Sequence, residues 1–310
     1  MPHLNPLQRR GLLSPSPLEK GWDEATLLLI SNSHIFNLTM YTNWTVTEMD
    51  VTEKEIIIDS DSLKRNVTLT LWMPENYEGP EPLNLLLLND GQETENLKLK
   101  ETLESLYNTC RIKPVLVVAI HANEDRVQEY GAAGKPDFKL RGAKAAAYTK
   151  FITTELIPAI KKETGIKDFD TTAFAGFSLG GLSAMDIAWN NPQLFDKVGV
   201  FSGSFWWRSK ELGKGYTDND RIMHSIIRKA NDKPALKFWL QTGTKDETAD
   251  RNKNGIIDSI DDTVDLIKEL ENKGYSRPAD IQYLEMFGGT HNTTTWGEAM
   301  PKFLAWAFGR

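Results

Sequence analysis

The chain is 310 residues long, 40% hydrophobic and 25% charged, proportions that suit a soluble globular protein with a sizeable core. A net charge of −7 leaves no basic field with which to hold nucleic acid or an anionic membrane. Cys110 is the only cysteine, which excludes an intrachain disulfide and a cysteine-built zinc site, and no apolar run approaches the ~20 residues of a membrane helix.

Residues 1–22 mix Pro, Arg, Ser and Gly without a period and read as a flexible leader. The apolar run 25–30 follows acidic Asp23 and Glu24 and fits a secretory signal poorly, so a cytoplasmic location is expected, with a periplasmic or secreted one as the alternative. The expected organisation is a poorly specified leader over 1–39 and a single α/β domain over 40–310. From residue 52 the pattern is orderly. Residues 55–59 read as a strand, and Val67, Leu69, Leu71 and Met73 alternate with Thr68 and Thr70 in a second, with a hairpin turn at 60–62. The continuous apolar runs 83–88 and 114–120 read as strands buried on both faces, separated by a helix over 94–108. A long helix is expected over 142–163, kinked by Pro158.

An apolar strand then runs through Gly176-Phe177-Ser178-Leu179-Gly180 into a small-residue helix. Strands at 197–201, 236–240 and 281–286 follow, alternating with helices at 218–230, 259–273 and 297–308. Antiparallel strands followed by strand–helix alternation predict a doubly wound, mostly parallel sheet with helices on both faces.

Gly-x-Ser-x-Gly on a strand-to-helix turn exposes a serine hydroxyl at the top of a sheet. Such a nucleophile needs a base, and the base an orienting acid. Ser178, Asp246 and His291 each follow a predicted strand and occur in the order that joins nucleophile, acid and base on this kind of scaffold. Glu247 is the alternative acid, and His121 closes a strand as an alternative base or a pocket wall. His3, His34 and His224 are read as surface residues. The backbone amides of Leu179 and of Gln92, or of Gly91 in its place, are the expected oxyanion donors. Phe205, Trp206 and Trp207 follow a strand end and are expected to wall the substrate pocket.

A second pattern runs from Asp250 to Asp261. Asp250, Asn252, Asn254, Asp258 and Asp261 stand at positions 1, 3, 5, 9 and 12 of a calcium-type loop, with Gly255 at 6 and the Ile256 carbonyl at 7. The expected ion is structural, fixing the loop that carries Asp246, and no cofactor is expected for catalysis.

With these residues in view, the chain from about residue 54 onward resembles the enterochelin-esterase-like group of esterases, the α/β-hydrolase branch related to esterase D and to feruloyl esterases. The matching stretches are Leu88-Asn89-Asp90-Gly91-Gln92, Arg126-Val127-Gln128-Glu129-Tyr130 and Glu155-Leu156-Ile157-Pro158. The segments 176–181, 202–207, Gly243-Thr244-Lys245-Asp246 and Gly288-Gly289-Thr290-His291 with Trp296 extend the match. The resemblance implies an α/β-hydrolase fold with Ser178 as nucleophile, His291 as base and Asp246 as acid. Thr290 before the histidine, the calcium-type insert and the leader depart from the simplest members. The expected activity is hydrolysis of a carbohydrate-linked, aromatic-acyl or siderophore-type ester through an acyl-enzyme. Acyl transfer, thioester hydrolysis and a vestigial, binding-only site are the alternatives.

Overall fold

The computed structural model describes residues 49–75, 77 and 82–310. The expected leader at 1–39, with His3 and His34, lies outside them. The described residues share one eight-stranded sheet in the order β1-β2-β4-β3-β5-β6-β7-β8. β1 (Val51–Ser60) and β2 (Arg65–Pro74) form the predicted antiparallel hairpin, and β2 pairs antiparallel with β4 (Val115–Ile120). The remaining neighbours are parallel: β3 (Asn84–Asn89) lies between β4 and β5 (Thr172–Phe177), followed by β6 (Lys197–Phe201), β7 (Lys237–Lys245) and β8 (Ile281–Thr290).

Alternation along the strands sends side chains to two cores. Leu85 and Leu87 join one with Phe174, Val200 and Leu240, while Leu86 and Leu88 join the other with Phe177 and Phe201. Helices cover both faces, which is why β3 and β4 read as unbroken apolar runs. On the second face lie α1 (Leu99–Asn108) and, from the chain's end, Thr293–Phe308.

A short helix α2 (Arg126–Glu129), absent from the sequence reading, precedes α3 (Ala145–Lys150) and α4 (Ile157–Thr164). These last two are joined through a wide π turn at Phe151–Leu156, immediately ahead of Pro158. The proline ring has no N–H and crowds the carbonyl four residues back, so the ladder widens there rather than merely bending. Within the same stretch the hydroxyl of Thr154 donates to the carbonyl of Lys150 at 2.8 Å and that of Thr153 to the Thr149 carbonyl at 2.9 Å. The other helices are α5 (Leu179–Asn190), α6 (Ile222–Lys229), α7 (Asp258–Asn272) and α8 (Thr293–Phe308). α8 begins one turn earlier than its apolar pattern predicts, because the Asn292 side chain caps it by accepting the Thr295 amide at 3.1 Å. No helix among the described residues is long and apolar enough to cross a membrane.

Candidate active site

β5 ends at Phe177 and α5 begins at Leu179, leaving Ser178 alone to make the turn at φ 53° and ψ −118°. A non-glycine residue at positive φ costs about 1–3 kcal/mol and persists only when its surroundings fix it. Here the Ser178 amide donates to the Phe201 carbonyl at 2.9 Å, and the Ser204 amide donates to the Ser178 carbonyl at 3.1 Å. Glycine flanks the turn for a steric reason: a Cβ on Gly176 would lie 2.5 Å from the Gly180 carbonyl. The Ser178 hydroxyl is left 3.3 Å from that of Ser204.

Two strands later, β7 and β8 cross at close range. A Cβ on Gly243 would stand 2.4 Å from the Gly289 carbonyl oxygen, so the two backbones approach only because residue 243 lacks a side chain. The register shifts at this point and Lys245 pairs with Thr290. The strand predicted over 281–286 therefore continues through Gly288 and Gly289 as far as Thr290. Asp246 leaves β7 here, with Oδ2 accepting the Gly243 amide at 2.9 Å and Oδ1 buried with no hydrogen bond formed among the described residues. Burial raises its pKa, and the Gly243 amide, the Ser202 hydroxyl and His291 pull it back down.

His291 follows β8 on a segment pinned on both sides. The Thr290 amide donates to the Thr295 hydroxyl at 2.9 Å, and the Asn292 side chain donates to the Thr290 hydroxyl at 2.8 Å. The imidazole stands edge-on to Trp296, whose buried indole stacks on Phe177 and donates to Ser202 Oγ at 2.9 Å. Although His291 keeps solvent contact, the protein crowding its ring lowers its pKa. Asp246 opposes that shift and Arg126 adds to it. A neutral imidazole can accept a proton at neutral pH.

Ser178, Ser202, Trp206, Asp246, Glu247 and His291 line one cavity of about 290 Å³. No hydrogen bond joins Ser178, His291 and Asp246 to one another among the described residues; ligand-free sites commonly hold such groups at longer range. A larger cavity of about 490 Å³, lined in part by Lys197, Lys237 and Asp280, opens at the opposite strand ends and holds none of these groups. Size does not mark the site here; the convergence of a serine hydroxyl, an imidazole and two carboxyl groups does.

The loop after β3 is tied to the serine turn. Asn89 donates to the Gly180 carbonyl at 2.8 Å, and Asp90, left-handed at φ 63°, is clamped by Arg126 through bonds of 2.6 and 2.8 Å. The amides of Leu179 and Gln92 donate to no protein acceptor among the described residues. Arg126 had no role in the sequence reading. Its partner lies 36 residues away, and no periodic pattern links the two.

Several expected pocket residues fall elsewhere. Phe205 and Trp207 are fully buried in the core, Trp207 donating to the Lys135 carbonyl at 3.2 Å, so Trp206 alone of the three aromatics lines the cavity. His121 lines a separate cavity of about 390 Å³ together with Gly91 and Gln92, and is bonded through Nε2 to the Thr70 hydroxyl at 2.8 Å. His224, read as a surface residue, is fully buried, with Nε2 on the Asp262 carbonyl at 2.8 Å.

In the loop 250–261, Asn252 and Asn254 point their amides at Asp261 Oδ2, at 2.9 and 2.7 Å, and Asp250 accepts the amides of Asn254 and Gly255. Asp258 is turned away from this group: it accepts the Arg251 amide at 2.9 Å and pairs with its guanidinium at 3.3 Å. Among the described residues no three His, Cys, Asp or Glu side chains gather as a metal site. The expected set that included Asp258 is thus not assembled.

Residues 60–307 match the family model described as "Putative esterase". Over 253 residues the chain is 23% identical to an uncharacterised Bacillus subtilis protein, YbbA, covering 79% of this chain and 94% of that one. It is 29% identical over 161 residues to the iron(III) enterobactin esterase of Escherichia coli K12, covering 51% of this chain and 37% of that protein. The Shigella flexneri enterobactin esterase structure superposes with a TM-score of 0.64 at 21% identity, over 83% of this chain and 58% of that one. The chain thus spans little more than half of that structure, and the likeness fixes the fold as the α/β-hydrolase type with an N-terminal antiparallel hairpin. With a family match over most of its length, this chain belongs to that esterase family, in its enterochelin-esterase-like branch.

Proposed function

We propose that the protein is a serine ester hydrolase in which Ser178 is the nucleophile, His291 the base and Asp246 the acid. The observation that carries this reading is the convergence of these three side chains on one cavity, from the ends of β5, β7 and β8. Asp246 rather than Glu247 is favoured as the acid because its charge is the one that raises the His291 pKa. In the proposed reaction His291 takes the Ser178 proton as Oγ attacks the ester carbonyl, and the Leu179 and Gln92 amides receive the developing oxyanion. Collapse breaks the carbonyl–alkoxy bond, and the imidazolium protonates the leaving alcohol. Water activated by the same imidazole then hydrolyses the acyl-enzyme.

Enterobactin esterases among the relatives, and the aromatic wall at Trp206, support an aromatic-acyl, siderophore-type or sugar-linked ester as substrate. Release of p-nitrophenol from a series of acyl esters, lost in Ser178→Ala, tests the hydrolase. Product partition when acceptor alcohols are added separates hydrolysis from acyl transfer. Retained turnover in Ser178→Ala would reject the assignment. The cytoplasmic location is part of the proposal and is checked by cell fractionation.

The loop 250–261 is proposed to hold a structural Ca²⁺ through Asp250, Asn252, Asn254, the Ile256 carbonyl and Asp261. The nearness of Asn252 and Asn254 to Asp261 supports this ligand set, although their Nδ2 groups face the carboxylate and the side chains would have to turn their oxygens toward an ion, and Asp258 stays with Arg251. Two carboxylates suit modest affinity. Calcium should raise Tm and chelation should reverse the rise, with Asp261→Ala insensitive to both. A Tm indifferent to calcium would reject the ion.

A further inference from the structure

The cavity holds more polar chemistry than a nucleophile, a base and an acid require. Glu247, next to the proposed acid, and Ser259, on the first turn of α7, both line it. Glu247 Oε1 and Ser259 Oγ are each buried, and neither has a hydrogen-bond partner among the described residues. Buried polar atoms without partners are rare, because each loses its water and receives nothing in exchange. Two in the wall of one open cavity mark a place where a ligand group completes the bonding.

Burial raises the Glu247 pKa, and the Ser259 backbone amide at the start of α7 pulls it back down, while Oε1 and the Ser259 hydroxyl keep no partner of their own among the described residues. The start of α7 has no side-chain cap at Ile257, and its turn closes through the Asp261 amide on the Ile257 carbonyl at 3.1 Å. The Ser259 carbonyl is already used by the Thr263 hydroxyl at 2.8 Å, while the Ser259 hydroxyl itself is unused. Glu247 makes no ion pair among the described residues, although Arg251 four positions on is committed to Asp258 and Asp262.

The two atoms define the complementary group. An ionised carboxylate oxygen only accepts, whereas a serine hydroxyl both donates and accepts. A ligand hydroxyl matches both, donating to Glu247 and exchanging a second bond with Ser259. Trp206 supplies a flat apolar face in the same cavity, suited to a ring. We propose that Glu247 and Ser259 form a subsite that binds a ring hydroxyl of the ester substrate, with the ring against Trp206. This rests on the esterase reading and goes further, by making a hydroxylated ring the recognised feature. Phenolic acyl groups and sugar alcohols share that chemistry.

The test uses the full chain and two matched pairs of esters: methyl 3,4-dihydroxycinnamate against methyl cinnamate, and an acetylated methyl glucoside against cyclohexyl acetate. The wild type should prefer the hydroxylated member of one pair by about tenfold or more in kcat/KM, as expected of a hydrogen bond to a charged group. The pair that shows the preference identifies the source of the hydroxyl. Glu247→Gln should reduce that ratio about tenfold, chiefly through KM, and Ser259→Ala should reduce it in the same direction. A residue that only supports His291 or the loop would lower both members alike, so an unchanged ratio in both variants overturns the subsite. Absence of any wild-type preference in either pair overturns it as well. Fluorophosphonate labelling keeps the two readings apart. A wild type that labels at Ser178 but shows no preference loses only the subsite, whereas one that neither labels nor cleaves loses the esterase reading too.

Discussion

Gly243 and Asp246 are bound to each other across the end of β7: the glycine amide donates to the aspartate carboxylate at 2.9 Å. The same glycine has the Gly289 backbone pressed against it, and a Cβ there would stand 2.4 Å from one carbonyl oxygen and 2.9 Å from Asp246 Oδ1. One residue therefore sets both the carboxylate and the strand that leads to His291. Gly243→Ala should lower stability by about 1–3 kcal/mol, the usual range for overpacking a tight site. It should also lower kcat by displacing Asp246. Unchanged urea unfolding together with unchanged kcat would show that the two strands can part without consequence.

The acid limb of the pH profile should lie below the ordinary histidine range, because crowding by protein lowers the His291 pKa. Activity rises as the imidazole loses its proton, so kcat/KM should already be level near pH 7. Asp246→Asn removes a charge that holds the His291 proton. The limb should then move to lower pH while the plateau falls by about 10³–10⁴-fold, as when a triad acid is neutralised. Arg126→Gln removes a positive charge that repels that proton, so its limb should move to higher pH. A limb that moves the same way in both variants would contradict the proposed electrostatics. Arg126→Gln should also destabilise the fold by about 3 kcal/mol, because Asp90 is nearly buried and loses its partner.

The scaffold was legible because its signals are local. Eight strands announced themselves by alternation or by unbroken apolar runs, and a Gly-x-Ser-x-Gly turn is complete within five residues. What the sequence concealed depends on distant partners. Phe205, Trp206 and Trp207 are adjacent and chemically alike, yet only tertiary packing decides that Trp206 meets the cavity. The burial of His224 depends on the carbonyl of Asp262, 38 residues on. Asp258 has the right spacing for a calcium-type loop, but Arg251 draws it away, and that competition is invisible to a motif.

The aromatic trio should separate by phenotype. Trp207→Ala removes a fully buried side chain and should cost about 3–5 kcal/mol. Trp206→Ala should leave a folded protein whose KM for aromatic esters rises. Equal loss of stability in the two variants, by chemical denaturation, would refute the division between core and cavity wall.

His224 gives stability its own pH dependence. Burial, with help from the neighbouring Arg221, depresses its pKa to about 3. The unfolded chain therefore binds a proton that the folded chain refuses between roughly pH 6.5 and 3. The stability associated with neutral His224 is complete above pH 6.5 and falls by about 1.4 kcal/mol per pH unit below it. Unfolding of wild type and His224→Gln at pH 7 and pH 5 checks the sign. The variant should lose less on acidification, and an equal loss would place the acid sensitivity elsewhere.

An activated Ser178 should react covalently with an electrophile that mimics an ester carbonyl. Intact-mass and peptide analysis after treatment with a fluorophosphonate tests this without knowledge of the substrate. One adduct per chain, carried on the peptide that contains Ser178 and absent from both Ser178→Ala and His291→Ala, is the predicted result. A wild-type chain that stays unlabelled, or an adduct that persists in Ser178→Ala, would contradict it.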